Sequence, residues 1–332
     1  MTGVTVVTVT FNSEQVIASC LESCRDYPVI MIDNASTDGT VAAARRFSHA
    51  RVIANVANRG VSAAVNQAVR DCDTDFVLLL NPDVTLLTDA SPLLASCSAE
   101  GAGAAAGQLL GEDGRPQTSF GIRAFPTALT LIFEVLGLNR VFPWNPVNRR
   151  YRDSLRNPDA AAEVDQPAGA FLLFRKQVWE RLGGFDEAFY PVWFEDVDFC
   201  KRVREAGYRI VYNPAVKARH RGGHSVRALP GEYRELCWYV SLLRYASKHF
   251  GALGFRLVSA SVVPGAIPRA IASLVAGGGA AMAAAYCRVM RFAGGCLVSG
   301  RLPDLPGPLR RQIAAVSSLT GSGQVTPSAR NI

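Results

Sequence analysis

Phe76-Val77-Leu78-Leu79-Leu80-Asn81-Pro82-Asp83 is the stretch on which the reading of the fold turns. Five apolar residues in a row, without polar alternation, fit a strand covered on both faces, as in a parallel sheet. Pro82 lacks the N–H that would continue the ladder, so the strand stops and delivers Asp83 at its carboxyl end. Upstream, Val29-Ile30-Met31-Ile32 has the same character and runs out onto Asp33. Val4 to Thr10 is a β-branched valine and threonine run, and Arg51-Val52-Ile53-Ala54 reads as a further strand. Helical segments fall between these runs, to about Cys24, to about Phe47, and from Val61 to Val69. Strands alternating with helices imply right-handed βαβ units: an α/β, Rossmann-like fold with a mostly parallel sheet flanked by helices. Ligands in such sheets bind beyond the carboxyl ends of the strands. Asp33 and Asp83 both fall on that edge, although either alone could be an Asx turn.

The second half brings another acidic cluster. Gly183-Gly184-Phe185-Asp186-Glu187 leads to Phe194-Glu195-Asp196-Val197-Asp198-Phe199, where helical periodicity begins with Val197, Cys200 and Val203 on one face. Carboxylates at a helix start gain roughly 0.3–1 kcal/mol each from the macrodipole. Three acids in four residues exceed what a cap requires. Gly111-Glu112-Asp113-Gly114 reads as a hairpin turn, and residues 120–165, with four prolines, read as irregular. Gly169 to Phe174 resumes the sheet, and Arg209-Ile210-Val211-Tyr212 adds a strand before His220-Arg221-Gly222-Gly223-His224-Ser225. A site holding Asp33, Asp83, Asp196 and His220 has definite chemistry. A carboxylate on a strand-end turn, completed by an imidazole, holds Mg2+ or Mn2+ against a diphosphate. A further carboxylate takes a proton from an attacking hydroxyl.

Composition narrows the partners. The 332 residues are 49% hydrophobic, enough for a large core, and the net charge is +7. Arginines concentrate between 140 and 156, and the last third is basic again, which suits anionic lipid headgroups or a diphosphate. Nucleic acid is disfavoured: there is no aromatic–basic interleaving of the RNP type and no zinc-finger spacing. The eight cysteines are irregularly spaced, and no charged-then-apolar leader precedes Val4. Reduced thiols in a cytosolic protein are expected.

These motifs, in this order, resemble those of family 2 inverting glycosyltransferases of GT-A fold, in the rhamnosyltransferase-like branch. The likeness runs from Val4 to Ser225 through Thr8-Val9-Thr10-Phe11-Asn12, Asp33-Asn34-Ala35-Ser36-Thr37-Asp38-Gly39-Thr40, Asn58-Arg59-Gly60 with Asn66, Asn81-Pro82-Asp83, and the two acidic motifs above. The resemblance implies that Thr10, Phe11 and Asp33 contact the nucleoside, with Asp33 on the pyrimidine. It places Asn12, Asn34, Ser36, Asn58, Gly60, Asn66, Asn81 and Trp193 in the nucleotide-sugar cleft. It makes Asp83 the metal ligand and His220 the completion of the metal or diphosphate shell. Asp196 becomes the catalytic base, with Glu195 orienting the acceptor. Asn81 stands where many relatives carry an aspartate, so coordination would rest on Asp83. The implied donor is dTDP-L-rhamnose and the implied acceptor a cell-envelope polysaccharide or lipid-linked glycan. Trp193 reads equally as core or as a sugar-stacking platform. A sugar nucleotidyltransferase would need a Gly-rich basic signature near the first strand, which is absent; a non-catalytic scaffold is the other rival.

Three segments are expected: a catalytic domain over 1–228, a helical region over 229–316, and a polar, disordered tail over 317–332. No charged residue lies between Arg269 and Arg288, nearly a bilayer span, though Gly277-Gly278-Gly279 and many alanines weaken the transfer energy. Helices on the inner face of the cytoplasmic membrane are favoured, with a soluble helical segment forming a homodimer as the rival.

Overall fold

The computed structural model describes residues 3–155, 157–222, 229–275 and 279–303. The expected tail over 317–332, together with His224 and Ser225, lies outside the described residues. The strands are β1 (Val4–Thr10), β2 (Val29–Asp33), β3 (Ala50–Ala54), β4 (Phe76–Leu80), β5 (Val84–Leu86), β6 (Ala102–Leu110), β7 (Ile122–Arg123), β8 (Ala162–Glu163), β9 (Gln166–Pro167), β10 (Phe171–Arg175) and β11 (Arg209–His220). The first helices are α1 (Glu14–Ser23), α2 (Thr40–Ala44), α3 (Val61–Arg70), α4 (Ser91–Ser98), α5 (Thr118–Gly121), α6 (Ala128–Val135), α7 (Leu138–Val141) and α8 (Pro146–Arg152). They are followed by α9 (Lys176–Arg181), α10 (Glu195–Glu205), α11 (Gly231–His249), α12 (Ala252–Val275) and α13 (Gly279–Ser299).

Among the described residues one nine-stranded sheet runs β3-β2-β1-β4-β10-β6-β11-β5, with β8 also on β11. The β3-β2-β1-β4 half is parallel, as the apolar runs require: β1, β2 and β4 are covered on both faces by two apolar clusters. β10 enters antiparallel between β4 and β6, so Phe171 opposes Leu80. That register sets the chain ahead of β10 beside the end of β4, where Asn81 N–H donates to the Ala170 carbonyl at 3.0 Å. β11 is longer than the four residues read from sequence. It reaches His220, pairing antiparallel with β5 so that His220 opposes Val84.

Residues 120–165 are more ordered than their prolines suggest. Thr127 caps α6 in a reciprocal capping box with Thr130, and Asn145 caps α8 ahead of Pro146. Pro146 occupies the first position of α8, where a missing N–H costs nothing. α11, α12 and α13 bury a third apolar cluster with α6. Gly265 of α12 allows the closest approach: a Cβ there would meet the Val135 carbonyl at 2.4 Å. Arg269 donates to that same carbonyl, one of the unpaired acceptors at the end of α6. α12 and α13 are each long and apolar enough to cross a membrane by length and composition, and a third of the apolar stretch of each is buried. Seven of the eight cysteines are buried, and all are free.

Candidate active site

The donor-side edge is built where β1 and β2 end. The parallel register aligns Thr10 with Asp33, and Thr10 Oγ1 donates to Asp33 Oδ1 at 2.8 Å. Ser36 N–H donates to Asp33 Oδ2 at 2.8 Å, and its hydroxyl donates to Oδ1. Ala35, between them, takes a left-handed φ of 65° that folds the loop back on the carboxylate. Asn12 N–H donates to Ser36 Oγ at 2.8 Å, and Asn12 Oδ1 accepts from Thr37 N–H at 2.9 Å. Asn34 Nδ2 donates to the Gly60 carbonyl at 3.1 Å, and Asn58 Oδ1 accepts from Gly60 N–H at 2.9 Å. Thr10, Phe11, Asn12, Asp33, Asn34, Ser36, Asn58 and Gly60 therefore form one hydrogen-bonded edge, with Phe11 buried beneath it.

Gly60 joins this edge to the acidic helix. Its φ is 79°, and a Cβ would lie 2.8 Å from the Tyr190 ring. Val61 N–H donates to the Pro191 carbonyl at 2.8 Å. Trp193 and Phe194 follow with left-handed φ values of 80° and 67°, turning the chain into α10. Trp193 is half-buried against the third apolar cluster, so it is partly core while leaving one side open.

At the start of α10 the three acids go three ways. Asp196 faces the sheet edge: Oδ2 accepts from Gly169 N–H at 2.8 Å and Oδ1 from Val197 N–H at 2.8 Å. Gly169 must be glycine, because a Cβ would meet the Asp196 Cβ at 2.8 Å. Through Gly169 and Ala170, Asp196 stands beside Asn81 and the end of β4. Glu195 is buried, and its Oε2 has no hydrogen-bond partner. Burial, then the charge of Asp196, pushes its carboxyl up to about 8. Asp198 is fully buried. Burial opposes its charge, yet His249 at 2.7 Å, Arg202 at 2.8 Å and Lys248 at 2.8 Å hold its carboxyl below the usual range.

Asp198 is thus a structural hub. Arg202 also donates to the carbonyls of Leu182 and Gly184, and Lys248 donates to Asp186 at 2.7 Å. The glycine pair, α10 and α11 are tied together there. Asn66 belongs to the same scaffold and not to the donor edge. Its side chain donates to the Phe185 carbonyl and to Glu187, and accepts from Phe185 N–H and Trp179 Nε1. With its amide committed, Asn66 holds the Gly184-Phe185 turn, and Phe185 stacks on Phe199 of α10 at 4.3 Å.

Asp83 and His220, far apart in the chain, come together. Asp83 and His220 are both buried, with Asp83 Oδ1 3.7 Å from His220 Nε2. His220 Nδ1 bonds Gln117 Oε1 at 2.9 Å, and the imidazole stacks on Phe120 at 4.8 Å. Burial lowers the His220 pKa, while Asp83 works against that shift. Gln117 and Phe120 have no signature in the sequence; only the β6–β11 pairing, which sets Arg219 opposite Leu110, brings α5 to the imidazole. Among the described residues no three His, Cys, Asp or Glu side chains group as a metal cage. Asp83 and His220 fit an open site, in which a diphosphate and water would complete the shell of a divalent cation. Asn81 adds its half-exposed side chain at the same turn.

Comparison with known proteins decides the family. The model for glycosyl transferase family 2 matches residues 5–181, more than half of the chain. The chain belongs to that family. It is a glycosyltransferase of GT-A fold. A second model, for the N-terminal domain of galactosyltransferase, matches residues 149–223, which contain Gly169 and the acidic helix. N-acetylglucosaminyl-diphospho-decaprenol L-rhamnosyltransferase of Mycobacterium tuberculosis is 29% identical over 265 residues, covering 74% of this chain and 85% of that protein. Rhamnosyltransferase WbbL of Escherichia coli is 28% identical over 174 residues, 52% of this chain and 62% of its own. A mannosyltransferase from Pyrobaculum calidifontis, solved with GDP-Man and Mn2+, shares the fold. Its TM-score is 0.50 at 20% identity, covering 96% of this chain and 86% of that one.

Proposed function

We propose that this enzyme transfers L-rhamnose from dTDP-L-rhamnose, with inversion, to a hydroxyl of a lipid-linked or polysaccharide acceptor of the cell envelope. The setting is the cytoplasmic face of the membrane. Residues 1–228 are read as the catalytic unit and 229–316 as the region that keeps it at the membrane. The observation that carries the reading is Asp196, fixed by two backbone N–H groups on the same sheet edge as Asp33 and Asp83. The relatives' rhamnosyl chemistry supports the donor, and their lipid-linked acceptor supports the setting.

In this reading Asp33, oriented by Thr10 and Ser36, hydrogen-bonds the base, and the Asn12–Asn34–Gly60 loop walls the nucleoside. Asp83 and His220 would hold Mg2+ or Mn2+, which offsets charge on the departing diphosphate. The acceptor O–H loses its proton to Asp196 as its oxygen bonds to the anomeric carbon. The bond from that carbon to the diphosphate breaks on the opposite face, so configuration inverts. Asp196 must be ionised to accept the proton. Glu195, carrying its own proton near neutrality, adds no second charge beside it and keeps an O–H to donate to the acceptor. Trp193 offers its open side to a sugar ring.

The test is product formation from dTDP-L-rhamnose and an N-acetylglucosaminyl-diphospho-polyprenol analogue, with and without chelator, and the anomer read by NMR. Transfer with inverted configuration that chelator stops is expected. A retained anomer would overturn the single-displacement scheme. Turnover with another nucleotide sugar alone would replace the donor, and metal-dependent donor binding without any transfer would favour a scaffold.

A further inference from the structure

We propose that the turn joining α7 to α8 is a docking wedge that seats this enzyme on an anionic bilayer. Val141, Phe142 and Trp144 are exposed, Trp144 by 70%, an unusual display of large apolar side chains in so short a stretch. Arg140, Arg149 and Arg150 are exposed around them, and no Asp or Glu occurs between residues 140 and 152. Trp and Phe ringed by arginine is the chemistry of the lipid headgroup boundary, where an aromatic ring buries its body and a guanidinium meets phosphate.

The backbone of the turn is prepared for a place with little water. Asn145 Nδ2 donates to the Phe142 carbonyl at 2.7 Å, and Asn148 Nδ2 donates to the Pro143 carbonyl at 2.7 Å. Phe142 N–H donates to the Leu138 carbonyl at 2.8 Å, and Pro143 has no N–H. Internal amides thus take up the Phe142 and Pro143 carbonyls, which lipid could not. A second copy of the chain is a poor occupant, since a self-complementary contact would set arginine clusters against each other.

The turn is also coupled to the cleft. Arg123 lies over the Tyr151 ring of α8 at 5.7 Å and over Phe120 at 5.6 Å, and Phe120 stacks on His220. On its other flank, Gly137 at the start of α7 lies 3.7 Å, at its would-be Cβ, from Arg269 of α12. α12 leaves Ile267, Ile271 and Leu274 exposed beyond that point. A lipid-seated turn would hold the cleft at the bilayer surface, which deepens the lipid-linked reading above and rests on it for its purpose.

The experiment is flotation of the full-length chain with phosphatidylcholine vesicles, with and without phosphatidylglycerol. Transfer to a water-soluble acceptor analogue is measured in parallel. The native chain should float with the anionic vesicles. Phe142→Ser/Trp144→Ser and Arg149→Gln/Arg150→Gln should each bind them roughly tenfold or more weakly, with soluble transfer and thermal unfolding unchanged. Native-like flotation of both double variants would overturn the wedge. So would a native chain that ignores vesicles but forms a dimer that Phe142→Ser/Trp144→Ser dissolves. Vesicle binding through the turn without any soluble transfer would leave the wedge standing and remove the proposed function.

Discussion

The edge around Asp33 and the start of α10, joined through Gly60, are built on opposite principles. Around Asp33 each of the loop's polar groups is matched to a neighbour: Thr10, Ser36, Asn12, Asn34 and Asn58 form a closed hydrogen-bond set. At α10 the backbone is left-handed at two consecutive residues, and Glu195 is buried with an unpartnered oxygen. Asp198 is held by Arg202, Lys248 and His249. A pre-formed edge suits a ligand of constant shape such as a nucleoside. A strained start with unspent polar capacity suits a group that meets a proton only during reaction. The two acids flanking Val197 make the same contrast within one turn: Asp196 is turned to Gly169 beside the sheet and Asp198 to the core.

The sharpest way to break that contrast is Asp198→Asn. Removing one member of a buried charge cluster should cost about 3–5 kcal/mol in urea unfolding, because Arg202 loses its carboxylate and Lys248 is left with Asp186 alone. A loss of activity without loss of stability would make Asp198 part of the chemistry instead. Asp33→Asn tests the other side. Losing a charged acceptor of about 1.5–3 kcal/mol should weaken donor binding by about 10- to 100-fold in calorimetry, with kcat little changed.

Gly169→Ala sharpens the geometry: the added methyl pushes on Asp196, and kcat should fall about tenfold while donor Kd holds. Glu195→Gln is expected to change pH dependence more than activity. With its folded pKa near 8, against an ordinary 4.5, the native chain binds more protons than the unfolded chain between those values. Native stability should therefore fall as pH rises from about 4.5 to 8, and Glu195→Gln should flatten that slope in thermal unfolding. An unchanged slope would mean that Glu195 is not buried as described.

How much of this was legible beforehand follows from range. Asp33 and Asp83 could be placed because strand ends are marked by local features, an apolar run and a proline. The start of α10 was legible from its acids, but their division of labour was not. Which carboxylate turns inward depends on Lys248 and His249, some fifty residues away and on another helix. The bonding of Asn66 was out of reach for the same reason, since its partners lie on the far side of β10 in sequence. The capped helices of 120–165 were hidden by prolines that break a helix in its interior yet begin one at its first turn.

The central claim is that one cleft separates donor recognition from proton abstraction. One sample of Asp196→Asn tests it most directly, with the Kd for dTDP-L-rhamnose and the rhamnosyl transfer rate measured side by side. The account predicts a Kd within about threefold of the native value and a rate lower by about 10²–10⁴-fold. A rate that survives, or a Kd that collapses along with it, would contradict the account.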